Sequence, residues 1–221
     1  MVLARKLFIM TARTILYLRI ALGVVAVVLT YRIYRIIMEP IEFSGIKEKR
    51  YSAVTERLEQ LREAQLIFKD EYGKYAGTFD ELIPFLENAQ VNIIERKDSS
   101  FMAYNKVYQT DMLKDTIIYR IIGQTSAKDK LIRKNPDLFP EDLDFGALRF
   151  IPFTDDTAQF KMATGYVDRN GVRVQVFEIT APNTRFFADI YDDYKAYIKN
   201  LRIDALTVGS LTEPTLSGNW K

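Results

Sequence analysis

The sequence predicts an α+β fold: an N-terminal transmembrane helix continuing into a long amphipathic helix, which packs on an antiparallel sheet in a pilin-like head. Three observations predict it. Residues 20–31 carry no charge and sit within a longer apolar stretch. From Glu48 to Tyr72, Val54, Leu58, Leu61, Gln65 and Phe68 recur at spacings of three and four, the period of a helix with one buried stripe. Beyond residue 90 the apolar residues fall into short β-branched and aromatic runs. Two of these flank Asn170-Gly171, the strongest short-range hairpin signal.

The apolar stretch extends from Ile15 to Met38, about the length a bilayer core requires. Arg19, Arg32 and Arg35 stand near its edges, where long stems let the guanidinium reach the headgroups. Tyr17, Tyr31 and Tyr34 suit the interfacial belts. The run continues past Ala21 without a small-residue cleavage site, which argues against a removed signal peptide. Pro40 is expected to end or kink the span.

Glu48 to Tyr72 then forms the amphipathic helix, with Ala64, Ile67 and Tyr72 widening its apolar stripe. Glu56, Arg57, Glu59, Arg62, Glu63 and Lys69 are expected on the solvent face. Gly73 supplies a left-handed stop. Thr78-Phe79-Asp80-Glu81 reads as a capping box opening a short helix to about Asn88, with Pro84 bending or shortening it. Strands are expected at 91–96, 116–122, 148–153, 159–163 and 172–179, and a small helix at 128–135. A further helix is expected at 184–201, with Phe187, Ile190, Tyr191, Tyr194, Ile198 and Leu201 on its apolar side. The chain thus divides into a cytoplasmic N-terminus (1–13), a transmembrane anchor (14–38), a break (39–46), an α+β extracytoplasmic domain (47–206) and an extended tail (207–221).

The 221 residues include no Cys and no His. Disulfides, thiolate zinc sites, cysteine nucleophiles and the Ser-His-Asp triad are therefore excluded. The net charge of +2 conceals an asymmetry. Residues 1–50 hold nine basic and three acidic residues, so the rest of the chain carries −4. Nucleic-acid binding needs a basic folded face, which speaks against a nucleic-acid partner. The positive-inside count is nearly balanced across the span. The acid-free N-terminal side favours the cytoplasm for that end, and the periplasm for the domain.

Ala53 to Leu86, with Tyr72-Gly73-Lys74-Tyr75 followed by Thr78-Phe79-Asp80-Glu81-Leu82, resembles the spine-helix-to-head junction of type II secretion pseudopilins and type IV pilin-like proteins. The resemblance covers about 35 residues together with the layout of basic N-terminus, span, long helix and sheet. It implies a membrane-anchored subunit of a bacterial envelope assembly. The family's processing motif, Gly before an aromatic residue with a Glu five positions on, has no counterpart in residues 1–30. The resemblance is therefore to a pilin-like architecture on a permanent anchor in the inner membrane.

Without His or Cys, catalysis would rest on carboxylates, Lys, Ser or Tyr. Asp155-Asp156 and Asp192-Asp193 are adjacent pairs, and neighbours in a strand or helix point apart. Asp168-Arg169-Asn170-Gly171 lacks the rest of a calcium loop and suits a turn. Residues 140–144 suit an acidic loop or helix start. No catalytic, cofactor or metal site is expected. The partners expected are membrane lipid and other envelope proteins in a hetero-oligomeric complex. The residues expected at the interfaces are Arg19 and Arg32 in the span and Tyr191, Tyr194 and Tyr197 on a Tyr-rich helix. Two other functions fit the same composition: a membrane-tethered, carboxylate-based cell-wall hydrolase, needing two acids across a cleft, and a ligand-sensing head, needing an apolar pocket.

Overall fold

A computed structural model describes residues 12–220. Residues 1–11 of the expected cytoplasmic segment, with Arg5 and Lys6, lie outside the described residues. The chain forms two compact units, Met1–Lys49 and Arg50–Lys221. The second begins close to the expected domain start and takes in the expected tail.

Helix α1 spans Ala12–Tyr72. Within the first unit, every residue from 15 to 37 is exposed. The helix carries a stretch of mean hydropathy 1.8, none of it buried, so it is long and apolar enough to cross a membrane. Two polar groups here are locally satisfied. The Thr30 hydroxyl donates to the Ala26 carbonyl at 2.9 Å, and Arg35 lies 3.8 Å from Glu39 one turn on.

The break expected at 39–46 is absent: residues 39–46 are helical, with Pro40 inside. Proline removes one hydrogen bond and crowds the preceding turn. A long helix absorbs that cost when the turns on both sides are intact.

In the second unit, Val54, Leu58, Leu61, Ala64 and Gln65 are fully buried, with Ile67 and Phe68 close behind. The stripe is wider than the pattern implied. Glu63 and Gln60 are also buried, and Arg57 partly so, because the head covers this stretch from more than one side. Tyr72, expected in the stripe, is 56% exposed beside Gly73, where the helix ends.

Helix α2 spans Phe79–Asn88, as the pattern predicted, and buries Phe79, Leu82, Ile83, Phe85 and Leu86. The capping box is not formed. Thr78 makes no side-chain cap, and the Glu81 carboxylate accepts instead from the Gly77 N–H at 3.0 Å.

Strands β1 (Gln90–Asn105) and β2 (Thr110–Ser126) make a two-stranded antiparallel sheet far longer than the sequence suggested. Helix α3 (Ala127–Lys134) follows, capped by the Ser126 hydroxyl accepting from the Asp129 N–H at 3.0 Å.

The strand expected at 148–153 is instead a 3-10 turn, Gly146–Arg149, then an irregular loop. Only the Phe150–Gln159 bridge survives there. Phe153, Asp155 and Asp156 all take positive φ, which no regular strand tolerates.

Strands β3 (Lys161–Arg169), β4 (Val172–Pro182) and β5 (Ala205–Gly209) form the second sheet, in order β3-β4-β5 and antiparallel throughout. Asn170 and Gly171 are both left-handed, at φ 53° and 79°, as a two-residue type I′ turn requires.

The helix expected at 184–201 is broken into α4 (Asn183–Phe186), a 3-10 turn at Ala188–Ile190 and α5 (Tyr191–Lys199). Phe186 and Phe187 are both fully buried, and the Phe186 carbonyl accepts from the Arg50 guanidinium rather than from a following turn.

The tail is ordered by the sheet. Thr207 lies within β5, and Asn219 brackets that strand. Its amide donates to the Ala205 carbonyl at 2.8 Å, and its side-chain oxygen accepts from the Thr207 N–H at 3.0 Å.

Candidate interaction surfaces

The residues expected to carry interactions fall into two sets. Arg19 and Arg32 are exposed on α1 in the first unit. Tyr191, Tyr194 and Tyr197 all lie on α5 in the second, each half-buried. The Tyr194 and Tyr197 rings lie 6.3 Å apart, and the Lys195 ammonium lies 5.9 Å from the Tyr191 ring. Tyr194 has non-helical φ and ψ, so α5 kinks there and does not present its tyrosines as one regular stripe.

What positions α5 is a buried cation. Arg50 is only 8% exposed. Its two terminal nitrogens meet the two Asp189 carboxylate oxygens at 2.5 and 2.6 Å, and it also donates to the Phe186 carbonyl. The Phe153 and Phe187 rings face the guanidinium at 5.1 and 5.7 Å. A bidentate fork of this kind fixes geometry as well as charge. It holds the Asp189 carboxyl below the usual carboxylate range, through the hydrogen bond first and then charge attraction, with partial burial opposing. The sequence counted Arg50 among the N-terminal basic residues. Only its burial reveals it as part of the head.

Arg57 sits two turns further along α1. One of its terminal nitrogens is buried with no hydrogen-bond partner. Burial lowers its pKa, while Glu56, Asp156 and Asp144 pull it back up. Burial also raises the pKa of the Tyr51 hydroxyl, whose ring lies 5.8 Å from Phe186.

The acidic pairs do not converge. Asp155, Asp156, Asp192 and Asp193 are exposed. Asp144 accepts from the Gly146 N–H at 2.8 Å within its own turn. Among the described residues, no group of three or more acids is placed to hold a metal ion. A groove of about 480 Å³ runs between the end of α1 and α2, lined in part by Phe68, Tyr72, Pro84 and Phe85.

The largest feature the sequence reading missed is the β1–β2 ribbon. At its base the Glu71 carboxylate receives the Asn92 side chain at 3.1 Å and the Asn92 N–H at 3.3 Å. The Ala127 N–H donates to the Ala89 carbonyl at 3.0 Å, and Val91 and Ala127 are fully buried. Beyond a bulge at Ile93/Ile94 the ribbon leaves the core. From Ile94 to Tyr104 on β1, and from Asp111 to Ile122 on β2, all but Ser99, Ala103 and Thr116 are exposed. The twelve residues of β1 beyond the bulge make an arm of about 40 Å.

Cross-strand partners share a face. One face therefore carries Ile94, Met102, Tyr104, Leu113, Ile117, Tyr119 and Ile121. The other carries Phe101, Met112 and Ile118. A monomer rarely exposes contiguous apolar area of more than a few hundred Å². The signal in the sequence was that both strand runs carry apolar residues at odd and even positions alike, with charges interleaved. A half-buried strand keeps one face polar.

No family model matches the chain, and no curated protein or solved structure matches it.

Proposed function

We propose that the chain is a non-enzymatic, single-pass membrane subunit of a bacterial envelope assembly, pilin-like in layout, with its head in the periplasm and its anchor in the inner membrane. The observation that carries this reading is the α1 stretch whose apolar side chains are exposed on every side. Water penalises such a surface at about 25 cal/mol per Å², and a bilayer does not. The local satisfaction of Thr30 and Arg35 suits the same setting.

The pilin-like part of the reading draws on a long helix whose later turns are the core of an α+β head, and on the junction at Tyr72-Gly73-Lys74-Tyr75. The non-enzymatic part draws on the lack of His and Cys and on acids that stay apart.

Alkaline carbonate washing of membranes from cells expressing the full chain tests the anchor. The chain is expected in the pellet, and release into the wash removes the reading. Protease treatment of spheroplasts is expected to cleave the head. Protection until lysis would place the head in the cytoplasm instead. Mild-detergent purification is expected to bring down other envelope proteins.

A further inference from the structure

The two faces of the β1–β2 ribbon carry opposite charge. On the face of Met102 and Leu113, Arg96 pairs with Asp98 at 3.7 Å, which leaves Asp111 and Asp115. On the face of Phe101 and Ile118, Glu95 stands directly opposite Arg120, which leaves Lys97 and Lys114. One face is thus −2 and the other +2, each around apolar side chains.

The spacings match as well. Asp111 and Asp115 are four residues apart on β2, about 13 Å. Lys114 is four residues from Ile118, the cross-strand partner of Lys97, so the two lysines stand at the same interval along the ribbon.

From this complementarity we propose that the ribbon is a self-association surface, on which the acidic face of one copy packs against the basic face of a second copy. Packing like face on like face would oppose two pairs of equal charges, which an interface avoids. Unlike faces remove apolar area from water and place each Asp against a Lys. The contact is heterologous: each copy keeps one face free, so the association can continue from copy to copy. It does not depend on α1 entering a bilayer.

The test uses the full chain in mild detergent, with mass measured by sedimentation. Two variants are made, Lys97→Glu with Lys114→Glu, and Asp111→Lys with Asp115→Lys. All four side chains are exposed, so circular dichroism and melting are expected to match the unmodified chain and serve as the folding control. The unmodified chain is expected to self-associate. Each variant alone is expected to do so more weakly, on the order of tenfold or more in dissociation constant. Mixing the two variants is expected to restore the complex, since every contact between them is again between opposite charges.

A chain that stays monomeric over the accessible concentrations overturns the proposal. So does self-association unchanged in both variants, which would locate it elsewhere, for instance in the span. Loss in one variant alone overturns it, because every contact of the proposed kind uses both faces. Failure of the mixture to recover, with both variants folded, overturns it too. Uptake of the ribbon by lipid vesicles in place of self-association would assign the apolar faces to the membrane.

Discussion

Gln65 hydrogen-bonds both backbone groups of Ala76, eleven residues on. Its amide donates to the Ala76 carbonyl at 3.0 Å, and its side-chain oxygen accepts from the Ala76 N–H at 2.9 Å. Both residues are fully buried. The same amide reaches the Met162 sulfur on β3 at 3.2 Å. One side chain thus stands in for a strand partner where the chain leaves α1, and ties that bend to the second sheet. Gln65→Leu keeps the volume and strands a buried N–H and C=O. A loss of roughly 2–4 kcal/mol is expected in urea unfolding. A loss below about 0.5 kcal/mol would mean that the two groups find other partners.

The Arg50–Asp189 fork gives an acid-side dependence. The folded state holds Asp189 below its ordinary value, so its contribution is present above the unfolded carboxylate value near pH 4 and fades as pH falls through the lower folded value. Asp189 is 54% exposed, so solvent screening keeps the neutral-pH cost of Asp189→Asn near about 1 kcal/mol. The gap between the stability curves of variant and unmodified chain is expected to narrow as pH falls below about 4, and curves parallel from pH 7 to pH 2 would contradict this.

Arg57 is the reverse case, a charge whose burial goes partly uncompensated. Replacing a buried, incompletely paired polar group by an apolar one of similar reach is neutral or stabilising. Arg57→Met is expected to leave the midpoint of thermal unfolding unchanged or raise it by a few degrees, about 2–4 °C per kcal/mol at this size. A fall of more than about 4 °C would reveal a binding partner for that guanidinium.

Gly209 ends β5 at φ 77°, where an added Cβ would lie 2.3 Å from the Phe177 carbonyl oxygen. Backbone cannot yield as a flexible side chain does. Gly209→Ala is expected to cost more than about 2 kcal/mol, combining left-handed strain with that clash. Gly171→Ala lacks the clash, having open space around its missing side chain, and is expected to cost about 1 kcal/mol.

Features carried by short-range chemistry were legible in the sequence: α2, α3, the Asn170-Gly171 turn and the buried stripe from Val54 to Phe68 all stand where local pattern puts them. What failed depends on distant residues. Pro40 was read as a break because the rule concerns one turn and not the helix around it. The helix at 184–201 divides after Phe186, whose carbonyl accepts from Arg50, more than a hundred residues away. The candidate surface was the least legible part. Runs 91–96 and 116–122 look like core strands, and nothing within them says that the fold offers no sheet to cover them.

The Arg50 contacts to Phe186 and Asp189 close loops of 136 and 139 residues. Synthesis proceeds from the N-terminus, so the helix carrying Val54 to Phe68 emerges well before β4, β5 and the Asp189 turn that surround it. Closing such distant contacts is slow, and apolar surface stays uncovered meanwhile. The apolar face of that helix therefore waits for its cover, and maturation of the head is a late event completed only after most of the chain has been made.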